Sequence, residues 1–126
     1  MTISEVSKKY NLTADTIRYY EKEGIIPRVQ RTKNGIRDFD ENTCSWIEFI
    51  KCMRNAGLEI EILKQYVTLF KQGIRTIKER KMLLEEQRNK LLEKQKNINA
   101  TLDRLNQKIK WYEDMEKGKK DFMENP

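Results

Sequence analysis

The chain has 126 residues, 37% hydrophobic and 37% charged, so it holds little core material for its length; a small domain with a solvated extension is expected. Its net charge of +6 favours an acidic partner such as nucleic acid, while the absence of histidine and of a glycine-rich phosphate loop argues against an enzyme. Two cysteines cannot form a closed zinc site, and no apolar run approaches the length of a membrane span, so we expect a cytoplasmic protein without metal, cofactor or membrane contact.

The N-terminal part of the chain predicts two short helices joined by a tight turn. Thr2 or Ser4 is a suitable N-cap for the first helix, and Thr13 for the second. Gly24 is placed to end the second helix as a left-handed residue, and Pro27 prevents the helix from resuming. This arrangement is typical of a helix-turn-helix.

A basic hairpin is predicted next. Residues 28–40 alternate charged and apolar positions around Asn34-Gly35, the strongest short signal for a β-hairpin. From Lys8 to Arg37 the chain carries eight basic residues against three acidic ones. The hairpin is therefore expected to form a small wing beside the second helix, on a positively charged surface.

Two further helices follow the wing. Asp40 or Asn42 can cap a third helix that ends near Asn55, and a fourth helix is expected to stop near Gly73. The broad apolar face of the third helix predicts a set of core residues: Trp46, Ile47, Phe49, Ile50 and Met53.

A long helix is predicted from Arg75 to about Lys117, a stretch without proline or glycine. In its first half, the stripe that includes Ile77 and Leu84 is suited to packing on the fourth helix or on a partner's domain. The second half has a heptad seam, which indicates a homodimer formed as an antiparallel coiled coil. The seam residues are Leu91, Ile98, Leu102, Leu105, Ile109 and Tyr112.

The fold expected from these patterns is mainly α. A winged helix-turn-helix DNA-binding domain with linker helices occupies residues 1–73, a dimerisation helix residues 74–117, and a flexible tail residues 118–126.

Several side chains of the second helix and the wing suit contact with duplex DNA. Arg18 can bind phosphate or a guanine edge, although a surface ion pair with Glu21 or Glu23 is the alternative. Tyr20 pairs with Ile17 toward the core, which leaves Tyr19 for a phosphate. The candidate DNA-binding residues are Thr13, Ala14, Thr16, Arg18, Tyr19, Arg31, Lys33 and Arg37.

Three segments in fixed order carry a family resemblance: TIRYYEKEGIIP at 16–27, NGIRDFD at 34–40 and WIEFIKCMRNAGLEIEIL at 46–63. Over about residues 1–70 the chain resembles MerR-type transcription regulators. The resemblance implies a homodimer that binds a pseudo-palindromic promoter and activates by distorting an overlong spacer for RNA polymerase. It places DNA contacts on Thr13, Thr16, Arg18, Tyr19, Arg31 and Arg37. Ile36 departs from the tyrosine usual in the family, which questions a backbone contact there.

The inducing signal is indicated only by the resemblance. The chain has no cysteine after Cys52 and no large ligand-binding domain, so it is similar to the short branch that responds to aldehydes or thiol stress. Cys52 stands in the place of the reactive thiol, and an inert core thiol is the competing interpretation. A small ligand or no effector is the alternative within the family. A coiled-coil adaptor without DNA function is a remote alternative that leaves the basic wing unexplained.

Overall fold

The computed structural model describes residues 1–118, and the expected tail at 118–126 lies outside them apart from Gly118. Within the described residues the chain is mostly helical, with one small hairpin. The elements in chain order are α1 (Ile3–Tyr10), α2 (Ala14–Lys22), β1 (Gln30–Arg31), β2 (Arg37–Asp38), α3 (Glu41–Asn55), α4 (Ile60–Lys71), a 3₁₀ turn (Ile74–Thr76) and α5 (Ile77–Glu116).

The first three helices begin at the caps that the sequence predicts. Each capping side chain accepts the N–H of the residue three positions later, which satisfies an amide that has no partner inside the helix. The pairs are Thr2 with Glu5 at 3.2 Å, Thr13 with Thr16 at 3.1 Å, and Asp40 with Thr43 at 2.8 Å.

The core of the N-terminal domain lies among α1, α2, α3 and the segments that flank the wing. Ile17 and Tyr20 of α2 are both buried, as their spacing predicts. Ile47 and Ile50 of α3 are completely buried, so the predicted core face of α3 is confirmed at its centre. Further buried residues are Val6, Ile25, Ile26, Val29, Phe39, Leu58, Leu63 and Val67.

Aromatic side chains join α3 to α4. The ring of Trp46 lies 5.9 Å from that of Tyr66 and 4.8 Å from that of Phe70, and the rings of Phe49 and Tyr66 are 5.6 Å apart, measured between centroids. Trp46 and Phe49 are half-buried rather than fully inside the core. The edge of the predicted α3 core face is therefore a contact surface for α4.

The start of α5 buries a different face from the predicted one. Ile77 is 53% exposed, whereas Leu83 and Gln87 are buried. The reason lies in the 3₁₀ turn, where the Thr76 hydroxyl donates to the Leu69 carbonyl at 2.5 Å and to the Gly73 carbonyl at 3.0 Å. This anchor turns the helix face with Thr76, Leu83 and Gln87 inward. Of the predicted stripe, Ile77 is exposed and Leu84 is half-buried.

The chain divides into two compact units, Met1–Gln87 and the part from Arg88 onward. In the second unit Leu91 is half-buried, and the other seam residues of α5 face solvent. The exposed fractions of Ile98, Leu102, Leu105, Ile109 and Tyr112 are 60%, 50%, 54%, 54% and 46%. The ring of Trp111 contacts that of Tyr112 edge to face at 5.1 Å. Within residues 1–118, no helix has both the length and the apolar character needed to cross a membrane.

Candidate nucleic-acid interface

The N-terminus of α2 presents three of the predicted contact residues together. Thr13 is exposed, and Ala14 and Thr16 are half-buried. The hydroxyl oxygens of Thr13 and Thr16 lie 2.7 Å apart, which fixes both side chains at the helix start. The unpaired amides of a helix N-terminus attract phosphate oxygens, so this end of α2 suits a nucleic-acid backbone.

Arg18 and Tyr19 extend the same exposed surface along α2. Tyr19 is 42% exposed while Tyr20 is only 6% exposed, as predicted from their angular separation on the helix. Arg18 pairs with Asp15 at 2.8 Å, so the expected partners, Glu21 and Glu23, are wrong. Asp15 lies one turn before Arg18 and its side chain is 95% exposed. Such an exposed ion pair is weak, so Arg18 can exchange Asp15 for a DNA phosphate as its partner.

The wing has the predicted form of a two-stranded antiparallel hairpin, in which Arg31 lies opposite Arg37. Its turn is closed by hydrogen bonds from the Thr32 amide to the Ile36 carbonyl at 2.8 Å and from the Gly35 amide to the Thr32 carbonyl at 2.9 Å. Gly35 has a φ of +79°, a left-handed conformation that favours glycine. Lys33 is exposed in this turn, as is Ile36, where a backbone contact was in question.

Glu21 joins α2 to the wing, a role that the sequence did not reveal. Its Oε2 accepts the Val29 N–H at 2.9 Å, and its Oε1 accepts the Arg37 Nε–H at 2.8 Å. A terminal nitrogen of Arg31 lies 4.0 Å from the same Oε1. Burial acts to raise the pKa of Glu21, but the hydrogen bonds from Arg37 and Val29 and the charges of Arg37 and Arg31 outweigh it and hold that pKa below its usual value.

The two wing arginines therefore differ in their surroundings. The Arg37 side chain is 25% exposed and is held by Glu21, whose side chain is 14% exposed. The Arg31 side chain is 41% exposed and donates to the Gly35 carbonyl at 3.0 Å. The structure thus brings Arg31 and Arg37 to the carboxylate of Glu21, which lies on α2, the helix that also carries Arg18.

Glu23 lies two residues beyond Glu21 but connects α2 to a different element. Its carboxylate pairs with Lys64 of α4 at 2.8 Å, and the Glu23 side chain is 30% exposed. Among the described residues, neither member of this pair makes a hydrogen bond or an ion pair with Arg31 or Arg37. Glu23 therefore holds α2 against α4, whereas Glu21 holds it against the wing.

The two cysteines lie in opposite environments on α3. Cys52 is exposed and is therefore not a core thiol, whereas Cys44 is only 5% exposed. Both are free thiols. The two basic residues nearest Cys52 in the chain, Lys51 and Arg54, bind backbone carbonyls rather than the Cys52 thiol. The Lys51 ammonium donates to the Tyr10 carbonyl at 2.5 Å, and Arg54 donates to the Leu58 carbonyl at 2.7 Å.

One cavity of about 510 Å³ lies beside the buried thiol. It is lined by residues of α1, the wing end and α3: Met1, Lys9, Tyr10, Phe39, Asp40, Glu41, Cys44, Ser45 and Glu48. Its volume falls in the range of small-molecule sites. Among residues 1–118, no group of three or more acidic, cysteine or histidine side chains is placed to hold a metal ion.

Comparisons with known proteins agree with this geometry. Residues 1–69 match the MerR HTH family regulatory protein model, and residues 45–108 match the model described as MerR, DNA binding. The HTH-type transcriptional regulator AdhR of Bacillus subtilis is 56% identical over 93 residues, a match that covers 74% of this chain and 66%, just under two thirds, of that relative.

Solved structures of the same kind superpose along most of the chain. HiNmlR, described as a MerR family regulator lacking the sensor domain and bound to promoter DNA, gives a TM-score of 0.84 at 29% identity and covers 91% of each chain. A MerR family regulator from Bacillus thuringiensis gives a TM-score of 0.79 at 35% identity, covering 89% of this chain and 98% of that one. The chain therefore belongs to the MerR family of DNA-binding transcriptional regulators, which are not enzymes.

Proposed function

We propose that this regulator acts as a homodimer on a pseudo-palindromic promoter and activates transcription by distorting the promoter spacer for RNA polymerase. The carrying observation is the joint placement of α2 and the basic wing on one surface, tied together by Glu21. The solved relative HiNmlR is described as bound to promoter DNA, which supports the same partner here. The exposed seam of α5 supplies a surface for the second copy.

The proposed DNA contacts form two groups, one on α2 and one on the wing, and each group is expected to bind a different part of the duplex. Thr13, Ala14 and Thr16 lie at the start of α2, where amides and hydroxyls can meet phosphate or base edges. Arg18 and Tyr19 extend from the exposed side of the same helix. The wing contributes the basic side chains Arg31, Lys33 and Arg37, which suit the flanking backbone.

Arg18→Ala and Arg37→Ala test the docking. We expect both variants to weaken binding to promoter DNA, the probe being an inverted repeat found by searching the sequence upstream of the protein's own gene. A lost phosphate contact reduces the salt slope by about 1. Fluorescence anisotropy at several salt concentrations gives both quantities. Lys71→Ala is the matched control, since Lys71 is an exposed cation at the last residue of α4 and belongs to neither α2 nor the wing. Wild-type affinity in either arginine variant would contradict the proposed contact.

For the inducing signal, we propose modification of the Cys52 thiol by an aldehyde or another electrophile. The thiol is exposed and lies four residues before Ala56, the C-cap of α3. With an aldehyde, the thiolate sulfur bonds to the carbonyl carbon, and the carbonyl oxygen takes up a proton to give a hemithioacetal. The adduct would sit beside the α3–α4 connection, which Arg54 holds through the Leu58 carbonyl.

Transcription in vitro with and without electrophile tests this signal. Wild type and Cys44→Ser are expected to respond, because Cys44 is buried, and Cys52→Ser is expected to lose the response. A full response in Cys52→Ser would exclude the thiol switch. That result would favour a small ligand, for which the 510 Å³ cavity beside Cys44 offers a site.

A further inference from the structure

One carboxylate fixes both strands of the wing to α2. Glu21 accepts the Val29 amide, directly before β1, and the Arg37 Nε–H, at the first residue of β2. Each wing strand has only two residues, and an isolated hairpin of this size is not stable alone. Glu21 therefore contributes to the orientation of the wing relative to α2, together with the buried side chains of Val29 and Phe39 at the two ends of the wing.

Arg37 is held in a way that leaves part of it available. Glu21 takes up the Nε–H, and among residues 1–118 the terminal nitrogens of Arg37 make no other hydrogen bond or ion pair. A guanidinium carries five N–H donors in a fixed planar fork. A carboxylate bound at Nε thus fixes the plane in which the terminal nitrogens can meet a phosphate.

We propose that Glu21 is a positioning residue for DNA binding, which orients the Arg37 guanidinium toward a backbone phosphate and holds the wing beside α2. This inference rests on the proposed contact between Arg37 and DNA. It predicts that a negative charge near the DNA strengthens binding, although that charge itself repels phosphate.

Because repulsion and positioning act in opposite directions, the sign of the effect distinguishes them. If Glu21 acts only through its charge, Glu21→Gln removes a repulsive group and tightens binding. If Glu21 positions Arg37, the same change weakens binding. Glu21 accepts the Val29 and Arg37 hydrogen bonds on different oxygens. In glutamine an NH2 group, which only donates, takes the place of one of these oxygens, so the same side-chain placement cannot keep both hydrogen bonds.

The experiment measures promoter affinity over a salt series for wild type, Glu21→Gln, Arg37→Ala and the double variant. We expect Glu21→Gln to bind about tenfold more weakly, the lower end for loss of a charged hydrogen bond. Its salt slope should fall by about 1, as in Arg37→Ala. In the Arg37→Ala background, Glu21→Gln should have little further effect. Glu23→Gln is the matched control, because it removes the same charge from α2 without touching the wing.

Three results would overturn the inference: unchanged or tighter binding by Glu21→Gln, an equal loss of affinity in the Arg37→Ala background, or wild-type affinity of Arg37→Ala. The last also refutes the proposed Arg37 contact, whereas the first two leave it intact. Should Glu21→Gln fail to fold, Arg37→Lys replaces it. Lysine keeps the positive charge but has a single nitrogen, so it cannot bind Glu21 through one nitrogen and a phosphate through others as the guanidinium can. Arg37→Lys is therefore expected to bind DNA more weakly, and wild-type affinity would refute the inference.

Discussion

Replacing Leu102 and Leu105 together by glutamate should convert the proposed dimer into monomers. Both side chains are about half exposed on α5, at 50% and 54%. Burying a whole leucine gains about 1.5–3 kcal/mol, so covering the exposed half gains roughly 1 kcal/mol. A symmetric dimer loses four such side chains, about 4 kcal/mol or roughly 1,000-fold in Kd. Placing glutamates in an apolar seam weakens association further.

Sedimentation equilibrium over a range of protein concentrations measures the loss. The matched control is Ala100→Glu with Gln107→Glu, which adds two charges on exposed positions opposite the seam. The control should remain dimeric, and circular dichroism should show equal helix content in both variants. If the Leu102 and Leu105 variant sediments as a wild-type dimer, the seam does not form the interface, and the reasoning from its exposed residues is wrong.

Three predictions concern the stability of the DNA-binding domain. Ile47→Ala, at a fully buried site, should destabilise by about 2–5 kcal/mol in urea unfolding, whereas the same change at Ile74, which is 82% exposed, should stay within about 0.5 kcal/mol. Thr13→Ala removes the α2 cap and should lower the unfolding free energy by about 1 kcal/mol, with Thr13→Ser close to wild type. The backbone and side-chain hydrogen bonds of Thr43 lower the pKa of Asp40. The ionised Asp40 carboxylate therefore stabilises the folded protein at neutral pH, and this contribution is lost as the pH falls from the ordinary pKa of an aspartate through the lower pKa of Asp40 in the folded state. Thermal melts in acid should therefore show a smaller loss of stability for Asp40→Asn than for wild type, and equal losses would contradict this account.

The features that the sequence predicts correctly are those with causes close together in the chain. The cap at Asp40 and the turn at Asn34-Gly35 depend on neighbours within a few residues, so both can be predicted from the local sequence without knowledge of the tertiary structure. The burial of Ile17 and Tyr20 follows from helical spacing.

The features that the sequence did not reveal depend on contacts between distant segments. Glu21 meets Val29 eight residues later and Arg37 sixteen residues later, and no periodic pattern marks either contact. The buried face of early α5 follows from how Thr76 docks on α4 rather than from the heptad stripe. The exposure of Cys52 was equally hidden, because a cysteine suits both a core and a surface position.

The positions of the two tryptophans have a practical consequence for spectroscopy. Trp46 lies in the aromatic cluster between α3 and α4, within the Met1–Gln87 unit, and Trp111 lies beside the seam residue Tyr112 in the other unit. Each compact unit thus carries its own intrinsic fluorophore. In Trp111→Phe protein the emission would follow unfolding of the DNA-binding head, and in Trp46→Phe protein it would follow separation of the subunits of the proposed dimer. The thermodynamics of the two processes can be separated without an attached dye.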